Sequence, residues 1–165
     1  MPAAKNSVDT SDREIVVARI VDAPRELVFK AFTDPKHIGT WWGPDGFTNT
    51  IYEMDVRPGG VWRYMMHGPD GVDYPNKVVY IEVLKPERLV YDHGSDVPDL
   101  QNDPHRFHVT ITFTEQEGKT HVAMRSLFAT AEECEAVKKF GAIEGGKQTL
   151  NHLVEYLANV QSANR

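Results

Sequence analysis

The sequence predicts an α+β domain in which a strongly bent antiparallel sheet grips one long C-terminal helix. Three observations carry this. Between residues 47 and 128 apolar and polar residues alternate with period two, broken by turn residues, the pattern of successive hairpins. One β-rich run and two short helical patterns precede the hairpins. One long amphipathic stretch follows them, and no other long element is left to cover the apolar face of the sheet.

In chain order, residues 1–13 are polar and read as a disordered tail ahead of a single domain over 14–160. Residues 14–22 carry Ile15, Val16, Val17, Ile20 and Val21 and read as the first strand. Pro24 suits the first turn of a helix, whose apolar side is Leu27, Val28, Ala31 and Phe32. Asp34-Pro35 opens a second, short helix ending at Trp41-Trp42, and Gly43-Pro44 stops it. Strands follow at about 47–56, 61–67, 77–84, 88–93, 106–115 and 120–128.

Register can be argued as well, because a slip of one residue sends every side chain to the other face. In the last hairpin, pairing Phe113 with Val122, Ile111 with Met124, Val109 with Ser126 and Phe107 with Phe128 keeps one face apolar. In the first hairpin, the same reasoning pairs Tyr52 with Met66, Met54 with Tyr64 and Val56 with Trp62. Val79, Ile81 and Val83 join this inward face, whereas Glu53, Arg63, His108, Thr110, Thr112 and Arg125 face solvent. The segment 94–105 is polar and turn-rich, a loop with room to act as a lid.

The last element spans about 130–160 and opens on Thr130-Ala131-Glu132-Glu133, a capping box. Its apolar stripe is Leu150, Leu153, Val154, Leu157 and Val160, extended backwards by Gly146, Ile143 and Phe140. Gly141, Gly145 and Gly146 sit inside it, each costing a helix about 1 kcal/mol against Ala. Two readings follow: a break near 141–146, or bulk removed so that another group can lie against the helix.

At 165 residues, 41% hydrophobic and 25% charged, the chain has the composition of one ordinary globular domain. A net charge of −6 with no basic run excludes a phosphate-neutralising nucleic-acid binder. No stretch of about 20 apolar residues would span a membrane, and residues 1–13 lack the apolar core of a secretory signal. The single Cys134 excludes an intrachain disulfide and fits a reducing, cytoplasmic setting. It falls in the first turn of a helix, which could lower a thiol pKa, but no His or Asp neighbours it in sequence. No compact set of three histidines suggests a metal, no carboxylate pair or Ser-His-Asp order can be placed, and no cofactor is expected.

Several segments together resemble a known family. They are Trp41-Trp42-Gly43-Pro44, Arg57-Pro58-Gly59-Gly60 and Pro86-Glu87-Arg88-Leu89-Val90, with the lead-in at 22–29 and the closing 148–153. The chain resembles the SRPBCC (START and Bet v 1-like) superfamily, in the branch named after the C-terminal domain of the activator of the heat-shock protein 90 ATPase. The resemblance implies a helix-grip fold, a seven-stranded antiparallel sheet curved around the C-terminal helix with a cavity between them. The wider superfamily binds lipids, sterols, polyketides or plant hormones, and a few members are cyclases or hydrolases. Many relatives place a Trp directly after the helix Gly where this chain has Gly146, a difference expected to enlarge the cavity.

The first function expected is therefore binding of a hydrophobic or aromatic small molecule, lipid- or polyketide-like, without assured catalysis. The candidate wall is Trp41, Tyr52, Trp62, Tyr64, Met66 and Ile81 from the first half of the chain. Phe107, Val109, Ile111, Met124 and Phe128 continue it, and Ile143, Gly146 and Leu150 add the helix side. One of the adjacent Trp41 and Trp42 is expected under the short helices and the other at the cavity mouth, since both cannot enter one core. An alternative is a cyclase- or hydrolase-like enzyme using Tyr64, Tyr80, Arg19 or His108. A chaperone partner ranks last, resting on the branch name and on a chain without the extra N-terminal domain of eukaryotic activators. A homodimer is compatible with all three.

Overall fold

The computed structural model describes residues 11–163. Residues 1–10 of the expected tail lie outside the described residues, and Ser11–Arg13 form a 3-10 turn where the sequence reading continued that tail. Strand β1 (Glu14–Val21) is followed by α1 (Arg25–Thr33) and α2 (Pro35–Trp41). Strands β2 (Thr48–Met54), β3 (Val61–His67), β4 (Asp73–Leu84), β5 (Arg88–Ser95), β6 (Phe107–Gln116) and β7 (Lys119–Leu127) come next. Helices α3 (Ala131–Lys139) and α4 (Ala142–Ala163) close the chain. All seven strands form one antiparallel sheet in the order β1-β7-β6-β5-β4-β3-β2.

The order of the sheet follows from the chain's economy. Five hairpins run β2 to β7 in sequence, and β1 returns to pair with β7. The two edges are covered differently. Helix α2 packs on β2, whereas α4 makes its main strand contact with β1. Helix α1 lies between, over β6 and β7, and buries Val28, Phe29, Ala31 and Phe32. Phe29 and Phe32 both meet Phe113 edge-on, at ring centroid distances of 5.3 and 5.2 Å.

The register argued for the last hairpin is present: Val109 pairs with Ser126, Ile111 with Met124 and Phe113 with Val122. The first hairpin differs. Ile51 pairs with Tyr64, and a bulge between Ile51 and Glu53 leaves Tyr52 unpaired before Met54 pairs with Trp62. A bulge inserts one residue and so reverses the inward-outward parity on one side of itself. Tyr52 is thereby turned outward, its ring beneath the Arg63 guanidinium at 5.7 Å. A second bulge between Tyr80 and Glu82 does the same to Ile81, so Val78 and Tyr80 are the buried residues of β4 and Ile81 is exposed. Both alternations look uninterrupted in sequence because an apolar residue occupies each bulge.

The C-terminal stretch is two helices. Thr130 accepts from Glu133 N (3.1 Å) as the capping box requires, but the Glu133 carboxylate pairs with His105 and not with the cap. Gly141 breaks the helix at φ +87°, a left-handed conformation that favours glycine. The break resets the helical phase, leaving Phe140 at the end of α3 and 92% exposed. In α4 the inward stripe runs Ala142, Gly146, Thr149, Leu150, Leu153 and Leu157, so Ile143, one position off it, is exposed. Gly146 has a separate reason. A methyl group placed there would lie 2.9 Å from Cγ2 of Val17, whose β-branched side chain has little freedom to move. Its bareness lets α4 rest on β1.

Replacing Gly146 with Ala sets an overpacking cost of about 1–3 kcal/mol against a helix-propensity gain of about 1 kcal/mol. The expected outcome is net destabilisation in the natural background. With Val17→Ala also present, the same change becomes neutral or stabilising. Equilibrium denaturation of the four variants checks this through the coupling term of a double-mutant cycle.

Candidate functional site

Because α4 leans on β1 at one edge, space is left between the helix and the middle of the sheet. A cavity of about 200 Å³ occupies it. Its walls come from alternate residues of successive strands: Tyr64 and Met66 of β3, Asn76 of β4, Tyr91 and His93 of β5. Phe107 and Val109 of β6, Met124 and Ser126 of β7, and Gly146 and Thr149 of α4 complete it, with Trp42 at the end of α2. A second cavity of about 250 Å³ adjoins it towards β1 and α3 and is lined by Ile15, Val17, Phe128, Val137 and Ala142. Phe107, Met124, Ser126 and Gly146 line both and so form the partition. Each is smaller than a typical ligand pocket of roughly 300–1,000 Å³, and the flexible Met124 thioether lies where the two would join.

The polar atoms of the first cavity form one connected set. Trp42 Nε1 donates to Tyr64 Oη at 3.1 Å. His93 Nε2 lies 3.3 Å from Tyr64 Oη and 2.9 Å from Asn76 Oδ1. Thr149 Oγ1 is turned back to its own helix, donating to Gly145 O at 2.8 Å. Burial pushes the Tyr64 phenol well above its ordinary value, so it remains protonated at neutral pH. Burial pushes the His93 imidazole down to about 4, so it is neutral there. The Phe107 ring lies 4.8 Å from the His93 ring and closes one side.

The structure sorts the expected wall into three groups. Tyr64, Met66, Phe107, Val109, Met124 and Gly146 line the first cavity, and Phe128 lines the second. Trp41, Trp62, Ile111 and Leu150 are buried in the packed core outside both linings. Trp41 donates to Ala31 O (3.0 Å) beneath the short helices, and Trp42 is the member of the pair that reaches the cavity. Trp62 stacks on Tyr64 at 4.3 Å, and its Nε1 has no partner among the described residues. Tyr52, Ile81 and Ile143 are on the outside for the reasons given above.

Asn76, Tyr91, His93, Ser126 and Thr149 line the cavity but were not among the residues expected in its wall, Ser126 being placed only as the partner of Val109. A signal for two of them existed: Leu89, Tyr91 and His93 alternate, and Leu89 is plainly a core residue. Asn76 was hidden because β4 begins at Asp73, passing through Pro75, which argues against a strand.

Of the four residues considered for catalysis, Tyr64 alone reaches the cavity. Tyr80 is buried edge-on against Tyr91, Arg19 is exposed beside Asn151, and His108 pairs with Asp92 in a cleft lined by Arg13 and Arg106. Cys134 is fully buried, and burial raises its thiol pKa, the reverse of the helix-terminus expectation. The segment 94–105 is tied down by Asp96 to Arg63 (2.9 Å) and by Lys77 Nζ to Val97 O (3.0 Å). Its ends, Gly94, Ser95 and His105, rim a surface depression that also touches Asn76, His93 and Phe107. Among the described residues no helix is long and apolar enough to cross a membrane.

Comparison with known proteins agrees with this architecture. A solved protein from Mycobacterium smegmatis is 27% identical, with a TM-score of 0.79 over 92% of this chain and 94% of that one. A solution structure of a protein from Staphylococcus epidermidis is 25% identical, with a TM-score of 0.79 over 93% and 94% of the two chains. One from Arthrobacter aurescens has a TM-score of 0.82 at 22% identity, over 93% and 90%, and shares the fold. No functionally curated protein matches the chain. The profile of the "Activator of Hsp90 ATPase homolog 1-like protein" family matches residues 22–158, and the chain belongs to that family.

Proposed function

We propose that the protein binds a hydrophobic or aromatic small molecule, lipid- or polyketide-like, in the cavity between the sheet and α4. The observation that carries this is the wall itself. Apolar and aromatic side chains from β3, β5, β6 and β7 converge on one space with a small number of polar atoms, the usual composition of a small-molecule site. The fold supports it too, since SRPBCC domains commonly hold hydrophobic ligands. Tyr64, the one of the four catalytic candidates that reaches the cavity, is a phenol held in its protonated form, which suits donating a hydrogen bond to a ligand and not attack as a phenolate. The chaperone reading has only the family description behind it.

Val109 is 2% exposed and borders the first cavity without taking part in the polar set. Val109→Phe is expected to fill that space and weaken binding of neutral two-ring aromatics at least about tenfold, while leaving the melting temperature within the range of a tolerated overpacking. Thermal shift and native mass spectrometry against a panel of such compounds check this. Equal binding by the variant would place the ligand elsewhere.

The state of His93 sets a pH dependence. Its folded pKa of about 4 lies below the ordinary 6.5, so between these values the unfolded chain takes up a proton that the folded protein refuses. The contribution is complete above about pH 6.5 and is lost as pH falls towards 4, with a slope of up to about 1.4 kcal/mol per pH unit. His93→Phe should remove this part of the slope, as read by denaturant unfolding across pH 4–7.

A further inference from the structure

The placement of protons around Tyr64 decides what the cavity can recognise. Asn76 Nδ2 donates to Tyr74 O at 2.8 Å, which orients the amide so that its oxygen faces His93 Nε2 at 2.9 Å. An amide oxygen can only accept, so Nε2 carries the ring proton. It then has no lone pair for the Tyr64 hydrogen, although it lies 3.3 Å away. Tyr64 Oη already accepts from Trp42 Nε1 at 3.1 Å. The Tyr64 hydroxyl hydrogen is thus left without a protein acceptor among the described residues, on a side chain that is 1% exposed and lines the cavity. An unused donor in a low-dielectric site favours any ligand that satisfies it, and the bond received from Trp42 polarises it further.

Building on the binding reading above, we propose that the cavity selects uncharged ligands that present a carbonyl- or ether-type oxygen to the Tyr64 hydroxyl. No lysine or arginine lines either cavity among the described residues. A carboxylate would be buried there without a counter-charge, which is costly. The polar wall offers a phenol, an imidazole that is neutral at pH 7, an amide and hydroxyls, all suited to a neutral partner.

The test uses the intact protein and three naphthalenes of one shape: 2-acetylnaphthalene, 2-ethylnaphthalene and 2-naphthoate. Affinities are measured by calorimetry for the natural protein and for Tyr64→Phe. The bound ketone's carbonyl stretch is read by infrared spectroscopy. The variant should weaken the ketone about tenfold and leave 2-ethylnaphthalene within about twofold. The carbonyl stretch of the ketone in the natural protein should fall below its value in hexane, a readout that needs no variant. Binding of 2-naphthoate should be weaker than that of the ketone. If the ketone and hydrocarbon bind but Tyr64→Phe affects them equally, or the stretch stays at its hexane value, the inference is overturned while cavity binding stands. Tighter binding of the naphthoate also overturns it. If none of the three binds the natural protein, cavity binding fails and the inference fails with it.

Discussion

The contact on which the rest depends is that of Gly146 with Val17. An α-helix can approach a strand this closely only where no side chain intervenes, and the 2.9 Å that a methyl group would leave shows how little room there is. Seated on β1, the helix leaves the central strands uncovered on their inward side. Helices α1 and α2 cover β6, β7 and β2. What remains over the middle of the sheet, between these helices and α4, is the cavity, walled by β3 to β7. The bare position therefore acts twice, drawing the helix to one edge and bordering both cavities. Gly146 borders both cavities, in keeping with the expectation that a missing Trp leaves space there, while Val17 fills the place its own Cβ would take.

The lock of the helix at its other side is polar. His152 Nδ1 lies 2.8 Å from Gly43 O, its Nε2 pairs with Asp45 at 2.6 Å, and Gln148 Oε1 accepts from Asp45 N at 3.0 Å. These bonds fix α4 against the segment that follows Trp42. They thereby hold the indole that donates to Tyr64, so the seat of the helix and the polarity of the cavity are set together.

Much of this was legible in the sequence, and the remainder was hidden for identifiable reasons. Element order and the β6–β7 register could be read because both strands alternate without interruption and only one pairing keeps Phe113, Ile111 and Val109 opposite apolar or small partners. Tyr52 and Ile81 were misassigned because bulges carry no marker when an apolar residue fills them. Ile143 was misassigned because a helical stripe was carried through Gly141, where the phase changes. Trp41 and Trp42 were expected not to share one core, yet both are buried against Phe32, and Trp42 alone also reaches the cavity because it sits where α2 ends. The least legible part was the polar set. Asn76 precedes the expected start of its strand and His93 ends the expected β5, and only pairing across β4 and β5 brings them to Tyr64.

The most direct measurement uses the methionines. Met66 and Met124 line the cavity, whereas Met54 and Met65 do not. With ¹³C-methyl methionine in the protein, titration with a neutral two-ring aromatic ketone should shift the Met66 and Met124 methyl signals through the ligand's ring current. The Met54 and Met65 signals should stay in place. Signals that all remain still, or that move at Met54 and Met65 instead, would contradict a ligand site between the sheet and α4.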